Sequence, residues 1–356
     1  MTVMLALVPD AFGGRGGIAQ YNRDFLSAAV TAPGIERIEI LPRHAPDAFT
    51  LPAGLRQAAP GESRIGYVLR ALGMSLTAKR GIVFCGHINL VPAAALVARL
   101  SRSRLIVQTH GIEAWDDPGK PYRRALEKAD LVLCVSRYTR ARVLSWAAIA
   151  PERVIVLPNT VGPTFTPGDA SALRAAWGLA GKRVLLTVSR MDARERYKGH
   201  ERIIATLPSL PGDVVYVVLG EGNDTDRIKA VARDAGVADR VLFKGAVGRD
   251  MLINAYRMAD LYVMPSTGEG FGIAFLEAMA SGTPALGLAV AGATDALCDG
   301  ALGTAASEEA FAGTLARLLA DGKPDPAGLS AAVTARFGSK TFTACTHSAL
   351  GRLAQV

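Results

Sequence analysis

The chain has 356 residues, half of them hydrophobic, with 40 Lys and Arg against 32 Asp and Glu, a formal surplus of +8. That length exceeds a typical domain of about 100–200 residues, and the apolar fraction excludes a mainly disordered chain. Residues 1–165 carry 20 basic and 12 acidic side chains and residues 166–356 carry 20 of each, so the whole surplus, 20 − 12 = 8, lies in the first half. In chain order, apolar runs predict strands over Val3–Val8, Arg37–Leu41, Ile82–Cys85, Arg104–Gln108, Leu131–Val135 and Val154–Leu157. They continue over Val184–Val188, Val214–Leu219, Val241–Lys244, Leu261–Met264 and Ala285–Leu288. Between them Tyr122–Ala129, Glu201–Leu207, Asp224–Ala235 and Met251–Met258 space their apolar residues at the helical period. Repeated strand–helix–strand units imply parallel sheets covered by helices on both faces, an α/β fold.

The run Ala129-Asp130-Leu131-Val132-Leu133-Cys134-Val135-Ser136 is echoed by Ala259-Asp260-Leu261-Tyr262-Val263-Met264-Pro265-Ser266. The echo supports two similar doubly wound halves, although helix–Asp–strand also recurs by chance in α/β chains. The Pro- and Gly-rich segment Gly162–Gly168 separates a domain at 1–162 from one at 163–338, with a helix at 339–356 expected to return to the first. Ligands should lie outside the carboxyl ends of the strands, in a cleft between two facing domains. Cys85, Cys134, Cys298 and Cys345 lack CxxC spacing, which argues for reduced core thiols of a cytoplasmic protein over a disulfide framework or zinc site. The opening Met1–Val8 has no basic leader and is closed by Pro9, too short for a signal segment. The longest uncharged stretch, Ala278–Thr294, is broken by Gly282, Pro284, Gly287 and Gly292, so no spanning helix is expected.

Three loops carry the chemistry. The first, Gly13-Gly14-Arg15-Gly16-Gly17, precedes a helix starting near Ile18, where Gly14, Gly16 and Gly17 would let backbone approach a phosphate or sugar. Read as Gly14-x-Gly16-x-x-Ala19 it also fits a dinucleotide fingerprint. However, Pro9–Phe12 separates it from the strand, and only Glu36 or Glu39 could serve as the ribose acid. The second loop, Ser189–His200, brackets its charges with Arg190 and Lys198, a bidentate and a point cation suited to phosphates. Its Arg194, Glu195 and Arg196 could instead satisfy one another, and Gly220-Glu221-Gly222 after the next strand could meet the same ligand. The third, Glu269-Gly270-Phe271-Gly272-Ile273, opens a helix that carries Glu277. Amides at a helix start suit a diphosphate, and ionised carboxylates suit hydroxyls.

These motifs identify the chain as resembling a retaining glycosyltransferase of family four with the GT-B fold, two Rossmann-like domains facing across a cleft. The resemblance rests on Glu269-Gly-Phe-Gly…Glu277-Ala-Met-Ala with Gly282-Thr283-Pro284, on Arg190…Lys198-Gly199 and on Gly13–Gly17, and it covers nearly the whole chain. It implies that Arg190 and Lys198 bind the donor diphosphate, Glu269 the donor sugar and Glu277 the ribose. The backbone of Gly270, Phe271, Gly272 and Ile273, with Gly220, would support sugar or phosphate, and His110 would stand beside the transferred sugar. The implied reaction moves a hexose from a UDP- or GDP-hexose to a glycan or a polyprenyl- or other lipid-linked acceptor by front-face attack. No cofactor and no metal are expected. Pro158-Asn159-Thr160-Val161-Gly162 departs from the family's Pro-Asn-Gly-Val-Asp hinge, which puts the contact of its Asp in doubt. Asp224-Thr225-Asp226 spells a metal-binding DxD, but Asp224 is expected to cap the following helix instead.

The basic stretch 56–104 holds Arg56, Arg64, Arg70, Lys79, Arg80, Arg99, Arg102 and Arg104 against Glu62 alone. Mixed apolar and basic positions over Ile65–Arg80 fit an interfacial helix, so an anionic membrane surface is a candidate partner. An ordinary packed helix is the alternative, and nucleic acid is not expected, since no aromatic interleaving or known module is present. The rival functions are a nucleotide-sugar epimerase, an NAD-dependent oxidoreductase using Gly14–Ala19, and a silent sugar-nucleotide-binding protein.

Overall fold

In the computed structural model, which describes residues 2–47, 49–61, 63–76 and 80–353, the chain forms two compact units. Unit 1 comprises Met1–Thr160 and Ser339–Val356, and unit 2 comprises Val161–Gly338.

The sheet of unit 1 consists of β1 (Thr2–Val8), β2 (Ile35–Pro42), β3 (Leu55–Gln57), β4 (Ile82–Cys85), β5 (Arg104–Thr109), β6 (Leu131–Cys134) and β7 (Val154–Val156). It is parallel throughout, in the order β3-β2-β1-β4-β5-β6-β7. Its helices are α1 (Gly17–Ala29), α2 (Arg64–Ser75), α3 (Val91–Ser101), α4 (Lys120–Leu126) and α5 (Arg137–Trp146). The apolar face of α1 stacks Phe25 on Phe84 of β4, with ring centroids 4.2 Å apart.

Unit 2 contains β8 (Arg183–Val188), β9 (Val214–Leu219), β10 (Val241–Phe243), β11 (Leu261–Met264), β12 (Ala285–Leu288) and β13 (Thr304–Ala306), in the parallel order β10-β9-β8-β11-β12-β13. Its helices are α6 (Ser171–Ala176), α7 (His200–Thr206), α8 (Thr225–Asp234), α9 (Arg249–Met258), α10 (Ile273–Ala280), α11 (Ala293–Ala296), α12 (Phe311–Asp321) and α13 (Pro326–Phe337). A last helix, α14 (Ser339–Arg352), belongs to unit 1. It lies on α1, where Phe342 meets Tyr21 edge-on at 5.8 Å and His347 Nε2 reaches the Ala28 carbonyl at 3.1 Å.

Every strand read from the sequence forms. Two more, β3 and β13, complete the edges with three residues each, and neither has the apolar run that burial on both faces demands. In each sheet the strand order reverses once, between β1 and β4 and between β8 and β11, which creates a crevice at the carboxyl ends of those strands. The sequence echo has a physical basis. Asp130, before β6, accepts the Leu105 amide of β5 at 2.7 Å and returns its own amide to the Leu105 carbonyl at 2.9 Å. Asp260, before β11, does the same with Val184 of β8, at 2.7 and 2.8 Å. The two aspartates thus lock the start of equivalent strand pairs.

Candidate functional site

The loop after β8 and the loop after β11 meet at the switch point of unit 2. The Thr267 amide donates to the Tyr197 carbonyl at 2.9 Å, and a Cβ on Gly199 would stand only 2.5 Å from the Pro265 carbonyl, so the two backbones run in contact. This closeness brings Lys198 Nζ within 2.6 Å of Glu269 Oε1, with the side chains only 16% and 9% exposed. Burial pulls the Lys198 ammonium down, but the Glu269 carboxylate, by charge and by hydrogen bond, outweighs it and holds the group above the ordinary lysine value. Gly272 precedes α10, and no side chain caps the helix start. One turn in, Glu277 Oε2 accepts the Tyr256 hydroxyl of α9 at 2.8 Å. Burial, and next the Glu277 charge, raise that hydroxyl well above the usual tyrosine value.

Arg190 lies at the start of the same loop, where its exposed guanidinium is held by Glu195. The neighbouring charges do not satisfy one another as the sequence suggested. Arg194 pairs with Asp192 at 3.1 Å, and Arg196 reaches Asp224 at 3.5 Å. Asp224 does occupy the N-cap position of α8, but its side chain caps nothing. It accepts Arg227 Nε on both oxygens, at 2.8 and 3.0 Å, because two arginines outcompete the helix amides for it. Gly220 and Gly222 serve close approach within the chain, since a Cβ at either would lie 2.0 Å from the Ser189 or Met191 carbonyl.

A residue the sequence reading passed over is His200, the first of α7. Its Nε2 is 2.9 Å from Ser189 Oγ and its Nδ1 is 2.8 Å from the Tyr216 hydroxyl, which itself donates to Thr187 Oγ1 at 3.0 Å. Thr187 in turn donates to the Val263 carbonyl of β11. With the Tyr216 proton so directed, Nδ1 carries the imidazole proton and Nε2 accepts from Ser189. Burial, followed by the charges of Lys198 and Arg227, lowers His200 to about 4 and keeps it neutral. The ring therefore ties both ends of the loop carrying Arg190 and Lys198 to the sheet. The available signal was its place directly after Lys198-Gly199 at the start of a helix.

In unit 1, Gly14 and Gly16 lie between β1 and α1 and Gly17 opens α1; a Cβ on Gly16 or Gly17 would meet nothing within 4 Å, which leaves that backbone open, whereas one on Gly14 would stand 2.7 Å from Asp10 Cβ, so Gly14 serves packing against its own chain. His110, just past β5, directs Nε2 at the Gly86 carbonyl at 2.9 Å, and its amide donates to Glu113 Oε1 at 2.5 Å. His87, just past β4, stacks on it with centroids 6.0 Å apart. Burial lowers both imidazoles and raises the Asp10 carboxyl, against the opposing charges of His44, Arg23 and His87. His87, His110 and Asp10 thus gather two imidazoles and a carboxyl near the carboxyl ends of β4, β5 and β1, groups whose chemistry suits hydroxyls. His87, Asp10 and Glu113 went unread because each is a single residue outside any motif.

Also in unit 1, α2 buries Tyr67, Ala71 and Ser75 and exposes Ile65 and Leu69, with Leu76 just beyond its end; Leu96 and Leu100 are exposed on α3. Arg64, Arg70, Arg80, Arg99 and Arg102 are exposed as well. The helix ends at Ser75, short of the predicted Arg80, while Glu62 and the predicted stretch 77–79, with Lys79, lie outside the described residues. Among the described residues, no helix is long and apolar enough to cross a membrane, and no group of three or more His, Cys, Asp or Glu side chains could hold a metal ion. Cys85 and Cys134 are buried, but Cys345 is exposed on α14 and is no core thiol.

Two family models match this chain, glycosyl transferases group 1 over residues 169–332 and glycosyltransferase family 4 over residues 19–165. Among curated relatives, a D-inositol 3-phosphate glycosyltransferase of Mycolicibacterium gilvum is 32% identical over 60% of this chain and 51% of its own length. A GDP-mannose-dependent alpha-(1-6)-phosphatidylinositol monomannoside mannosyltransferase of Mycolicibacterium smegmatis is 33% identical over 59% of this chain and 58% of its own. The chain thus spans about half the length of the curated relatives it matches. Anabaena HepE, solved in complex with UDP and glucose, superposes with a TM-score of 0.77 at 19% identity, over 99% of this chain and all of that one. The glycosyltransferase WaaG, involved in lipopolysaccharide biosynthesis, gives 0.66 at 20% identity over 98% of each chain. These likenesses show the GT-B fold.

Proposed function

The chain belongs to the group 1, family 4 glycosyltransferases, and from that premise we propose that it transfers a hexose, with retention, from a UDP- or GDP-hexose to a glycan or lipid-linked acceptor. The observation that carries the reading is the buried Lys198–Glu269 pair beside the uncapped start of α10. A cation and a helix start suit the charge that grows on a departing diphosphate, while the carboxylate and Glu277 suit hydroxyls of sugar and ribose. Arg190 adds a second cation at the start of the loop. Unit 1, with His110, His87 and the open backbone of Gly16 and Gly17, takes the acceptor.

Support for the donor class comes from a relative described as GDP-mannose-dependent and a fold neighbour bound to UDP and glucose. The reaction in this proposal needs no metal, since stabilisation of the leaving group falls to Lys198, Arg190 and the α10 amides. Loss of transfer on chelation, restored by manganese, would overturn that part. A thermal-shift screen of UDP-, GDP- and ADP-sugars tests the donor: one base should raise the melting temperature at sub-millimolar concentration. Transfer or slow donor hydrolysis with that sugar must follow, and stabilisation without either would leave only a binding protein.

Peripheral attachment at the inner face of the cell membrane is part of the same proposal. The exposed stripe Ile65, Leu69 and Leu76 on or beside α2, with the exposed Arg64 and Arg70 on the same helix, suits an anionic bilayer surface. Flotation with anionic and neutral vesicles tests it, and equal recovery with both would remove it.

A further inference from the structure

The loop after β8 holds one carboxylate that the proposed donor site does not use. Glu195 sits at a kink where the short helical segment leaves helical geometry, at φ −113° and ψ 28°. Its amide is fixed to the Asp192 carbonyl at 2.8 Å, and the adjoining backbone is fixed by Met191 to Glu221 at 3.0 Å and Thr267 to Tyr197 at 2.9 Å. Its side chain is 15% exposed, while that of its partner Arg190 is 76% exposed. Oε1 takes the Arg190 guanidinium, and Oε2 is buried without a hydrogen-bond partner among the described residues. The nearby carboxylates, Asp192 of the same loop and Asp224 before α8, differ in this respect. Asp192 is committed to Arg194 through both backbone and side chain, and Asp224 to Arg227 and Arg196. Glu195 therefore faces the cation expected to meet the ligand with one oxygen uncompensated, on a backbone held by these hydrogen bonds. Its charge also reaches Lys198 and Tyr197.

We propose that Glu195 is a resident counter-anion that occupies Arg190 in the unliganded protein and sets the site's selectivity for ligand charge. The inference rests on the donor reading given above. When a diphosphate draws Arg190 outward, the carboxylate stays behind, buried and next to phosphate oxygens of its own sign. That repulsion grows with each charge the ligand carries. A nucleotide sugar is a diphosphate diester with two negative charges, whereas the nucleoside diphosphate left after transfer is a monoester with up to three. Glu195 thus weakens the product more than the donor, which favours release of the spent nucleotide after each turnover.

The test is calorimetric titration of UDP, GDP and their hexose conjugates into wild type, Glu195→Gln and Glu195→Ala, with melting temperatures recorded alongside. Removing the carboxylate should tighten the nucleoside diphosphate by about ten-fold and the nucleotide sugar by about five-fold, as expected for loss of one nearby like charge acting on three and on two ligand charges at an effective dielectric between water and protein. Product inhibition of transfer should deepen in step, a readout that a merely structural role would not move. A folded Glu195 variant that binds both ligands unchanged or more weakly overturns the inference, and so does equal tightening of both. If Gln does not fold, Ala carries the same comparison. Glu195→Asp, which keeps the charge, must stay near wild type in the ratio of the two affinities. Wild-type protein that binds none of these diphosphates would sink the donor reading itself, and this inference with it. Normal wild-type binding without the shift in ratio would sink this inference alone.

Discussion

The Lys198–Glu269 pair joins two loops through charges that are nearly out of solvent, so each partner is the other's main compensation. Lys198→Ala leaves a buried carboxylate alone and should cost about 3 kcal/mol of stability. Adding Glu269→Gln should recover most of that loss in chemical denaturation while transfer stays below about one hundredth of wild type, as for a lost electrostatic group in a transition state. Transfer near wild-type level in a folded Lys198→Ala protein would end the proposed role. His200 makes a different prediction. Its folded value of about 4 lies below the ordinary 6.5, so between those pH values the unfolded chain binds more protons. The stabilisation is complete above pH 6.5, shrinks as pH falls and is gone below about 4, a span worth about 3 kcal/mol. Urea midpoints of unit 2 at pH 7 and pH 5 should therefore differ clearly in wild type and much less in His200→Gln. Nothing in the one-dimensional sequence marks His200 as coupled to Ser189 and Tyr216. A chain of hydrogen bonds across three strands and a loop becomes visible only when the strands are side by side.

At the scale of elements, central strands are legible because burial on both faces forces a continuous apolar run, as in the fully buried Val214–Leu219. The edge strands Leu55–Gln57 and Thr304–Ala306 escape because they lack such a run, carrying Arg56 or a row of small residues, whereas the other two edges, Val154–Val156 and Val241–Phe243, keep one. The glycine loops are legible as loops but not as to purpose: Gly220 and Gly222 answer to their own backbone, while Gly16 and Gly17 stand open. The echoed Ala-Asp motif carries an energetic prediction. Asp130→Ala and Asp260→Ala each leave a strand amide without its acceptor and should each destabilise their own unit by about 2 kcal/mol. The effect of Asp260 should be the larger, since it also pairs with Arg174 at 27% and 29% side-chain exposure. Equal melting of wild type and both variants would show that the repeat has no anchoring role.

At the scale of the whole molecule, the charge surplus belongs to the first half of the chain, and residues 63–112 contain no Asp or Glu at all. If that bias serves a bilayer, Arg64→Ser with Arg70→Ser should lower affinity for anionic vesicles by about 2 kcal/mol, roughly thirty-fold, without altering affinity for the nucleotide sugar. Ile65→Ser with Leu69→Ser should weaken attachment in a way that added salt does not mimic. The helix α14 lies against Tyr21, whose ring also meets His110 edge-on at 5.3 Å. During synthesis unit 2 emerges as one continuous stretch, whereas unit 1 must wait for its closing helix until all of unit 2 has left the ribosome. The nascent first sheet therefore spends the whole of that interval with the Tyr21 side of α1 uncovered, a client surface for any chaperone that reads exposed aromatic residues.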